Sequence, residues 1–431
     1  MAENQATNGL ITGTTTSFFD GSRVVVEQLP IGPGIPLGIE QVFNPEVGIG
    51  GAYGTWGKAF DNETIQEVVE KHLGEPLPVE RRMNLAELGF VSRHHIPELS
   101  EQEDIELEYQ VGAKILRQAA AACGWDPSEI QAVLIGSSGP PTPDFTEQIA
   151  RLAGIPEEAL KVSIHKACDG AVAGLNMSLN PALPANQALE VNLAEELAGK
   201  KILVGGIEGL SRFMKHSHDK NALQLFGNGA GVIGLIPKQS MSLIASKTHE
   251  NFDAEGVLQV KMVYPYHDEN TMPDSIIEVS TVKPQHYRVA GKMYTPKNDE
   301  PVIMAGLMGM VKLFVRTGVD VVKDVYQAYQ TRVADLGTPG KEFAMAVVHH
   351  ANLKINRLKE KHLQNEGINI PMPWVLSEFG NISAASAMIA FLRQLPGMKP
   401  GDHILIDGFG AGTYYDTLAV RLGESSTLAA G

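Results

Sequence analysis

The sequence predicts an α/β protein built from two copies of a β-α-β-α-β-β unit. Short apolar runs, which are typical of buried strands, alternate with helical segments in two separate parts of the chain. In both parts the second run leads into a turn and a helix of small residues. The spacing is also shared, since Val133 and Val162 are 29 residues apart, and so are Val347 and Leu376. Identity between the two parts is low, so order and spacing carry this prediction.

The first copy begins with a strand, a helix and a second strand. Apolar runs predict the strands and helical spacing predicts the helices, over residues 132–137 (strand), 145–153 (helix), 162–167 (strand), 168–175 (helix), 201–206 (strand) and 229–236 (strand). The second copy follows the same order, over residues 344–349 (strand), 352–363 (helix), 374–378 (strand), 382–392 (helix), 403–407 (strand) and 415–422 (strand).

The remaining segments are less regular. Residues 31–57 are rich in glycine and proline and predict an irregular loop. Residues 237–302 contain stretches of alternating apolar and polar residues together with many turn residues, which predict an antiparallel excursion or a cap. Residues 302–336 predict a long helix that is interrupted near Gly318. We therefore divide the chain into a first half (1–240, with a loop extension at about 21–80), an inserted excursion (241–300) and a second half (301–431).

Composition excludes several classes of protein. The 35 Lys and Arg against 50 Asp and Glu give a net charge of −15, which disfavours nucleic acid as the main partner. Two cysteines are too few for a disulfide framework, and no pattern of cysteines suits a metal site. Neither a signal pattern nor an apolar run of about 20 residues is present. We expect a cytoplasmic enzyme without a metal or a cofactor of its own.

Reactive side chains are expected where parallel strands end, because sites in α/β sheets form there. Cys168, His349 and Asn381 all occupy such ends. Cys168 stands where a strand meets a helix N-terminus, a position that favours the thiolate and can lower the pKa of the thiol. Taken singly, each residue has a structural alternative: a buried core cysteine, a satisfied histidine and a turn asparagine.

Three motifs resemble those of ketoacyl-ACP synthase III, a branch of the thiolase superfamily. They are Ala-Cys-Asp-Gly-Ala around Cys168, His-His-Ala-Asn-Leu-Lys-Ile from His349, and Gly-Asn-Ile-Ser-Ala-Ala-Ser around Asn381. A fourth stretch, Phe-Gly-Asn-Gly-Ala-Gly at residues 226–231, matches the family's Phe-Gly-Asp-Gly-Ala-Gly. The resemblance covers roughly residues 84–422 and implies the thiolase fold, in which two halves form five layers, α-β-α-β-α.

The resemblance also implies a chemistry. Cys168 is expected to take an acyl group from a thioester, with the N–H groups of Cys168 and Ala411 as the oxyanion hole. His349 and Asn381 are expected to stabilise the enolate of a malonyl- or β-ketoacyl-thioester, which then attacks the acyl group in a Claisen-type condensation. By the same resemblance, Phe145 reaches into the pocket of a partner subunit, which implies a homodimer.

Further binding residues follow from the resemblance. Arg212 matches an arginine near the pantetheine tunnel, although a solvated arginine is the alternative, and Asn352 stands in the histidine motif. Glu147 is a candidate base for the second substrate, although a charge on a helix surface is the alternative.

Departures from the family bear on the substrate. The tryptophan that stacks on coenzyme A is absent before residues 84–96, and Ala411 replaces a glycine. Ser-Glu-Phe-Gly-Asn at 377–381 and Gly-Phe-Gly-Ala-Gly at 408–412 are closer to type III polyketide synthases, which suggests a pyrone or a cyclised diketone as product.

An acyl carrier protein is the expected partner, with coenzyme A thioesters as the alternative donors. Lys354, Arg357 and Lys361 lie at i, i+3 and i+7 and so share one helix face, whereas Lys359 lies off it. A basic stripe on an acidic protein suits the acidic helices of a carrier protein. The alternative is an ordinary solvated face.

Two other functions stay open at this point. An acyltransferase on the same scaffold would move the acyl group from Cys168 to an alcohol or an amine. A non-catalytic subunit of a heterodimeric synthase is the second alternative. The amide of Asn381 favours condensation over acyl transfer, and the presence of all three reactive residues disfavours the non-catalytic subunit.

Overall fold

The structure is a computed structural model. It describes residues 13–16, 23–31, 34–96, 98–251, 253, 255–260, 266–267, 277–294, 300–304 and 307–423. Within these ranges no helix is both long enough and apolar enough to cross a lipid bilayer.

The strands, in chain order, are β1 (Gly13–Thr16), β2 (Arg23–Leu29), β3 (Ile35–Asn44), β4 (Ile49–Trp56), β5 (Lys58–Asp61), β6 (Ser92–His95), β7 (Ala132–Gly136), β8 (Leu160–His165), β9 (Ile202–Glu208), β10 (Gly229–Leu235), β11 (Met241–Glu250), β12 (Leu258–Val260), β13 (Tyr266–His267), β14 (Ile277–Lys283), β15 (His286–Gly291), β16 (Met293–Tyr294), β17 (Val302–Met304), β18 (Met345–Val348), β19 (His403–Gly410) and β20 (Tyr414–Leu422).

The α-helices are α1 (Thr64–Leu73), α2 (Glu101–Ala122), α3 (Phe145–Ala153), α4 (Gly170–Leu179), α5 (Pro184–Ala188), α6 (Leu193–Glu196), α7 (Leu210–Met214), α8 (Lys220–Leu225), α9 (Leu307–Asp335), α10 (Leu353–Asn365) and α11 (Ser386–Gln394). Two short 3₁₀ turns, Ala167–Asp169 and Ser383–Ala385, immediately precede α4 and α11.

Two sheets organise the chain. The larger has the order β1-β2-β3-β4-β10-β9-β7-β8-β15-β14, and the smaller has the order β11-β20-β19-β18. Strand β7 runs parallel to both β8 and β9, and β18 runs parallel to β19. Within each sheet the parallel strands therefore end on the same side, and β8 and β18 lead to Cys168 and His349 respectively.

The layers alternate as predicted. Helices α4 and α11 lie between the two sheets and contact strands of both. Helices α2 and α3 cover the outer face of the larger sheet, while α9 covers the smaller sheet and α10 packs on α9. Helix α4 is buried along its whole length, which its small residues permit because two sheets press on it from opposite sides. The result is the order α-β-α-β-α.

The prediction of an irregular loop over residues 31–57 is wrong. Strands β3 and β4 occupy most of this range and join the larger sheet through β10. The glycines of β4 reflect close packing: a Cβ on Gly51 would lie 2.3 Å from the carbonyl oxygen of Val232. Glycine here marks contact between backbones, a use that composition does not distinguish from a loop.

The predicted strand over residues 374–378 is absent. Pro371 and Pro373 precede it, and proline cannot donate to a strand ladder. Side chains take over part of the bonding: the N–H of Val375 donates to Nε2 of His350 over 3.1 Å, and Arg393 donates to the carbonyl of Val375 over 2.7 Å.

The excursion is more integrated than its predicted bounds imply. Residues 241–250 form β11, an end strand of the smaller sheet, so they belong to the second half. Strands β14 and β15 pair antiparallel, as expected, but β15 also runs parallel to β8 and extends the larger sheet. The predicted break at Gly318 is wrong too, since α9 continues through it.

Candidate active site

Cys168 lies at the junction of a strand and a helix, as predicted. Strand β8 ends at His165, the 3₁₀ turn Ala167–Asp169 follows, and α4 starts at Gly170. Ala167 takes a left-handed φ of +48°, which is costly for a residue with a side chain and turns the backbone sharply before the cysteine.

Two glycines bring neighbouring backbone against this junction. A Cβ on Gly136, at the end of β7, would lie 2.4 Å from the carbonyl carbon of Gly170. A Cβ on Gly410, at the end of β19, would lie 2.8 Å from the backbone nitrogen of Cys168. Both sheets therefore reach the nucleophile directly, because neither position carries a side chain.

The expectation of a lowered thiol pKa is wrong in this structure. Burial raises the pKa of Cys168 to about 12, and the negative charge of Glu208 raises it further. A hydrogen bond from Ser383 opposes the rise without cancelling it. Desolvation of the thiolate outweighs the helix N-terminus, so the thiol needs an acceptor for its proton.

A single segment, Asn381–Ser386, which we call the catalytic turn, connects the three candidate residues. Oγ of Ser383 donates to Sγ of Cys168 over 3.2 Å. Oδ1 of Asn381 accepts from the N–H of Ser383 over 2.9 Å. Oγ of Ser386 contacts Nδ1 of His349 and accepts from the N–H of His350 over 3.2 Å. Residues distant in the chain are thus held by one turn.

His349 is a neutral histidine at physiological pH. Burial lowers its pKa to about 3, and the nearby His350 and Lys359 add to the effect. Because the oxygen of Ser386 already accepts from the N–H of His350, we orient its hydroxyl so that it donates to Nδ1 of His349, which accepts. The imidazole proton is then on Nε2, and the side chain is a hydrogen-bond donor into the site.

The side-chain amide of Asn381 can also act as a hydrogen-bond donor. Its oxygen is taken by Ser383, and its backbone is fixed by bonds to Leu225 and Gly227. Among the described residues no acceptor is found for its Nδ2 group, which leaves that group to a ligand. Gly380 takes a φ of +71° just before it and packs against Arg93, which sets the direction of the segment.

Ala411 lies beside the nucleophile. With Cys168, Ser138 and Ser383 it lines a cavity of about 30 Å³, whose other walls are apolar. Leu258 and Val260 of the excursion contribute to those walls, so the excursion covers the site as a cap would. The oxyanion hole of Cys168 and Ala411 stays a prediction, and their shared cavity is consistent with it.

A buried carboxyl group adjoins this cavity and was missed from the sequence. Oε1 of Glu208 accepts from the N–H and the Oγ of Ser138 over 2.9 and 2.8 Å, and from the N–H of Ala384 over 3.1 Å. The hydroxyls of Ser138 and Ser383 are in direct contact. Burial raises the pKa of Glu208 to about 7 in spite of these donors.

Sequence signals for this network existed. Glu208 ends β9 and Ser138 follows β7 by two residues, so the rule that sites form at strand ends applies to both. Ser383 and Ser386 were within the third motif. The predicted strand over 201–206 stopped two residues short of Glu208, which left it out.

A second buried cluster of charged side chains adjoins the nucleophile, since Lys166 and Asp169 lie on either side of Cys168 in the chain. Nζ of Lys166 lies 2.6 Å from Asp416, 3.2 Å from Asp169 and 3.3 Å from Glu250. Burial and Asp416 raise the pKa of Asp169, while Lys166 and the surrounding hydrogen bonds lower the pKa of Asp416. Both carboxyl groups pair with Lys166, and these contacts tie the start of α4 to β20.

Phe145 and Glu147 do not reach the site. Phe145 is 2% exposed and stacks on Tyr109 with ring centroids 6.0 Å apart, so it packs inside this chain rather than projecting toward a partner. The homodimer stays a prediction. Glu147 pairs with Lys283 and lies 3.4 Å from His286, on the β14–β15 hairpin. It anchors that hairpin, and the expectation of a base at the second substrate is not supported.

Arg212 and Asn352 have structural partners. Arg212 donates to Glu108 over 2.6 Å and to the carbonyl of Gly139. Asn352 caps α10, since its Oδ1 accepts from the N–H of Ile355 over 3.0 Å. Its Nδ2 is buried without a hydrogen-bond partner in the described part of the chain, so contact with substrate stays a prediction.

The basic stripe lies on an exposed face of α10. Lys354, Arg357 and Lys361 are all exposed, whereas Lys359 is buried and lies 2.5 Å from Asp407. Lys354 is 2.7 Å from Glu87, and Arg357 is 3.7 Å from Glu360. These pairs reduce the positive charge of the stripe, and docking to it stays a prediction.

A family model described as 3-Oxoacyl-[acyl-carrier-protein (ACP)] synthase III C terminal matches residues 334–422, which contain His349, Asn381 and Ala411. The Beta-ketoacyl-[acyl-carrier-protein] synthase III of Synechocystis sp. is 25% identical over 318 residues, which cover 72% of this chain and 82% of that protein.

Solved structures also align with most of this chain. The 3-oxoacyl-[acyl-carrier-protein] synthase III from Aquifex aeolicus VF5 aligns with a TM-score of 0.60 at 19% identity, over 87% of this chain and 98% of that one. The 1,3,6,8-tetrahydroxynaphthalene synthase from Streptomyces coelicolor A3(2), a type III polyketide synthase, aligns with a TM-score of 0.55 at 13% identity, over 85% of this chain and 96% of that one. Both structures support the same fold as in this chain.

Proposed function

We propose that this chain, a ketoacyl-ACP synthase III-like protein with the thiolase fold, is a ketosynthase that forms a carbon–carbon bond. The observation that carries the proposal is the catalytic turn, which contains Asn381 and contacts both Cys168 and His349. Cys168 lines a small cavity, and this one turn links it to two neutral donors. This set suits a reaction that forms first an acyl enzyme and then an enolate.

In the first half-reaction, Sγ of Cys168 attacks the carbonyl carbon of an acyl thioester. The oxygen becomes negative in the tetrahedral intermediate, and the N–H groups of Cys168 and Ala411 are proposed to stabilise it. The thiol of the donor then leaves. The apolar walls of the cavity favour an aliphatic acyl group, because its burial there excludes water.

In the second half-reaction, a malonyl- or β-ketoacyl-thioester provides the carbon nucleophile. A malonyl-thioester forms its enolate by losing CO2, and a β-ketoacyl-thioester forms it by losing the acidic proton of its α carbon to solvent. Nε2 of His349 and Nδ2 of Asn381 donate to the thioester oxygen as the enolate forms. Neutral donors suit this role, since they stabilise the developing charge without protonating the carbanion. The enolate carbon attacks the acyl group on Cys168 and releases the thiol.

The substrates are proposed to arrive on the phosphopantetheine arm of an acyl carrier protein or of coenzyme A, with no cofactor bound by the enzyme itself. The product would enter fatty-acid-like or polyketide biosynthesis.

Separate measurements of the two half-reactions test the proposal. Acylation is followed as a mass increase at Cys168, and condensation as formation of the β-ketoacyl product. His349→Ala and Asn381→Ala should still acylate but should lose about 10²- to 10³-fold in condensation, the usual effect of removing one oxyanion donor. Cys168→Ala should lose both.

Three outcomes would contradict the proposal. Labelling at Cys123 instead of Cys168 would remove the nucleophile. Condensation near the wild-type rate in Asn381→Ala would remove the enolate role. Transfer of the acyl group to an alcohol or an amine without a carbon–carbon product would identify an acyltransferase on this scaffold.

A further inference from the structure

We propose that the thiol proton of Cys168 passes through the hydroxyls of Ser383 and Ser138 to the carboxylate of Glu208. The inference deepens the proposed function, since it rests on Cys168 as the nucleophile. Ser383 touches the reacting sulfur. Glu208 acts through the two serines and is a positioning residue in this reaction.

The contacts form one unbroken chain. Sγ of Cys168 lies 3.2 Å from Oγ of Ser383, whose hydroxyl contacts that of Ser138. Oγ of Ser138 lies 2.8 Å from Oε1 of Glu208. Ser138, Ser383 and Glu208 are all buried, so bulk water does not compete for the chain.

The backbone fixes each end of the chain. The N–H groups of Ser138 and Ala384 both donate to Oε1 of Glu208, so the carboxylate is held by the two turns that supply the serines. Ser383 takes a φ of +46°, a strained conformation that directs its side chain to Cys168. A Cβ on Gly206 would lie 2.5 Å from the carbonyl carbon of Ala384, so this turn packs tightly on β9.

Each hydroxyl can both donate and accept, which gives the chain two balanced states. In the first, Cys168 is a thiol and Glu208 is ionised, and every proton points toward the carboxylate. In the second, each proton has moved one step, so Cys168 is a thiolate that accepts from Ser383, in the direction of the hydrogen bond described above, and Glu208 is a carboxylic acid. The net charge is the same in both states, and no ion is added to the buried site.

The acyl-transfer step then balances. The thiolate forms a bond to the acyl carbon, the bond from that carbon to the donor sulfur breaks, and the proton returns from Glu208 along the serines to the departing thiolate. His349 is unsuited to this task, because its pKa of about 3 keeps it from accepting a proton at neutral pH.

The pKa of Glu208 sets the pH range in which its carboxylate can accept the proton of Cys168. Burial places its pKa at about 7, near the value that favours proton exchange at physiological pH. The titratable and charged groups that interact with it are Cys168, at the start of α4, and Arg212 of α7, whose guanidinium group also pairs with Glu108 of α2. Below pH 7 the carboxyl group is protonated and cannot accept, so the nucleophile should lose reactivity.

Alkylation of Cys168 by iodoacetamide tests the proposal without any condensation. The modified residue is identified by mass spectrometry at each pH from 5 to 10. In the wild-type protein the rate should rise to a plateau above about pH 7, the pKa of Glu208. In Glu208→Gln the plateau should disappear, and the rate should be about 100-fold lower at pH 8.

Ser138→Ala is the second variant, because it breaks the chain while leaving the backbone donors of Glu208 in place. It should lose the plateau as Glu208→Gln does. Asp104→Asn is the matched control, since it removes a buried carboxylate that pairs with Lys215, away from the chain. Thermal melting of each variant reports whether it folds.

A plateau near pH 7 retained in a folded Glu208→Gln or Ser138→Ala variant would overturn the proposal. This result is separable from failure of the proposed function. A protein that shows the predicted alkylation profiles but accepts no acyl thioester would retain the proton chain and lose the ketosynthase assignment.

Discussion

Ser386 determines which nitrogen of His349 can donate to a ligand. Its hydroxyl contacts Nδ1, and its oxygen accepts from the N–H of His350. A histidine of lowered pKa is useful to an enolate only in the tautomer that carries its proton on Nε2. The chemistry proposed for His349 is therefore set by a residue on another element.

Ser386→Ala should slow condensation by about 10- to 100-fold, a loss comparable to that of one oxyanion donor. Acylation and alkylation of Cys168 should change little, because Ser386 is outside the proton chain. Ser386→Thr, which keeps the hydroxyl, should recover much of the rate.

Ser178→Ala is the control, since Ser178 is a buried helical serine that bonds to the carbonyl of Leu175. Condensation by Ser386→Ala within about twofold of the wild-type rate would show that the tautomer is set in another way.

The motifs predicted three residues that the structure brings together, but not the protonation of their side chains. Cys168 was expected to have a lowered pKa from its place before α4, yet burial raises that pKa to about 12. Desolvation depends on what surrounds a residue in three dimensions, and the sequence near Cys168 does not contain that information. Glu208, 40 positions away, was invisible for the same reason.

Among the elements, α10 carries the feature most open to test. Its exposed face presents Lys354, Arg357 and Lys361 on a chain whose net charge is −15. A carrier protein with acidic helices would be attracted to this face, and salt would screen the attraction.

Lys354→Glu/Arg357→Glu should slow the reaction of a carrier-bound acyl group by about tenfold or more at low salt, because charge steering raises association rates by 10- to 10³-fold. The same acyl group on coenzyme A should react at an unchanged rate. Rates for both donors are measured at low and high salt.

Lys200→Glu/Lys201→Glu is the charge-matched control, since these lysines also pair with glutamates, Glu196 and Glu129. Equal losses for both donors, or no loss for either, would indicate that the stripe is only a solvated face.

The sequence predicted strands and helices correctly where the hydrophobic pattern was strong. It failed where contacts between backbones determine the secondary structure. The buried strands β7 to β10 and helix α4 were recognised from apolar runs and small residues. Strand β4 was taken for a loop because of its glycines, and residues 374–378 were taken for a strand although side chains, not a neighbouring strand, bond to Val375.

The molecule as a whole contains several histidines that are neutral when folded. Burial lowers the pKa of each to between about 3 and about 4, for His94, His95, His165, His349, His350 and His403. In the unfolded chain each would titrate near its ordinary value of about 6.5. The unfolded state therefore binds more protons than the folded state between these limits.

The free energy of unfolding should fall as the pH drops from about 6.5 toward 4, by up to about 1.4 kcal/mol per pH unit for each histidine that differs. Urea unfolding at pH 7, 6 and 5 measures the slope. The slope is proportional to the number of protons that the chain takes up on unfolding. His403→Gln should reduce that number by close to one, and it should leave the active site intact because His403 lies beside Tyr329, outside that site.

His218→Gln is the control, since the side chain of His218 is 75% exposed. Constant stability between pH 7 and pH 5, or an equal effect of both substitutions, would contradict this account.

The place of α4 between the two sheets has a consequence for synthesis. A chain emerging from the ribosome presents Cys168 long before it presents β19 and β20. The turn between these strands contains Ala411, and β20 contains the Asp416 that pairs with Lys166. Domains generally form as units during translation, and pairings between distant segments form slowly. A nascent chain that already contains Cys168, His349 and Asn381 should therefore still be chemically silent, and acylation should begin only when the last described strands have paired.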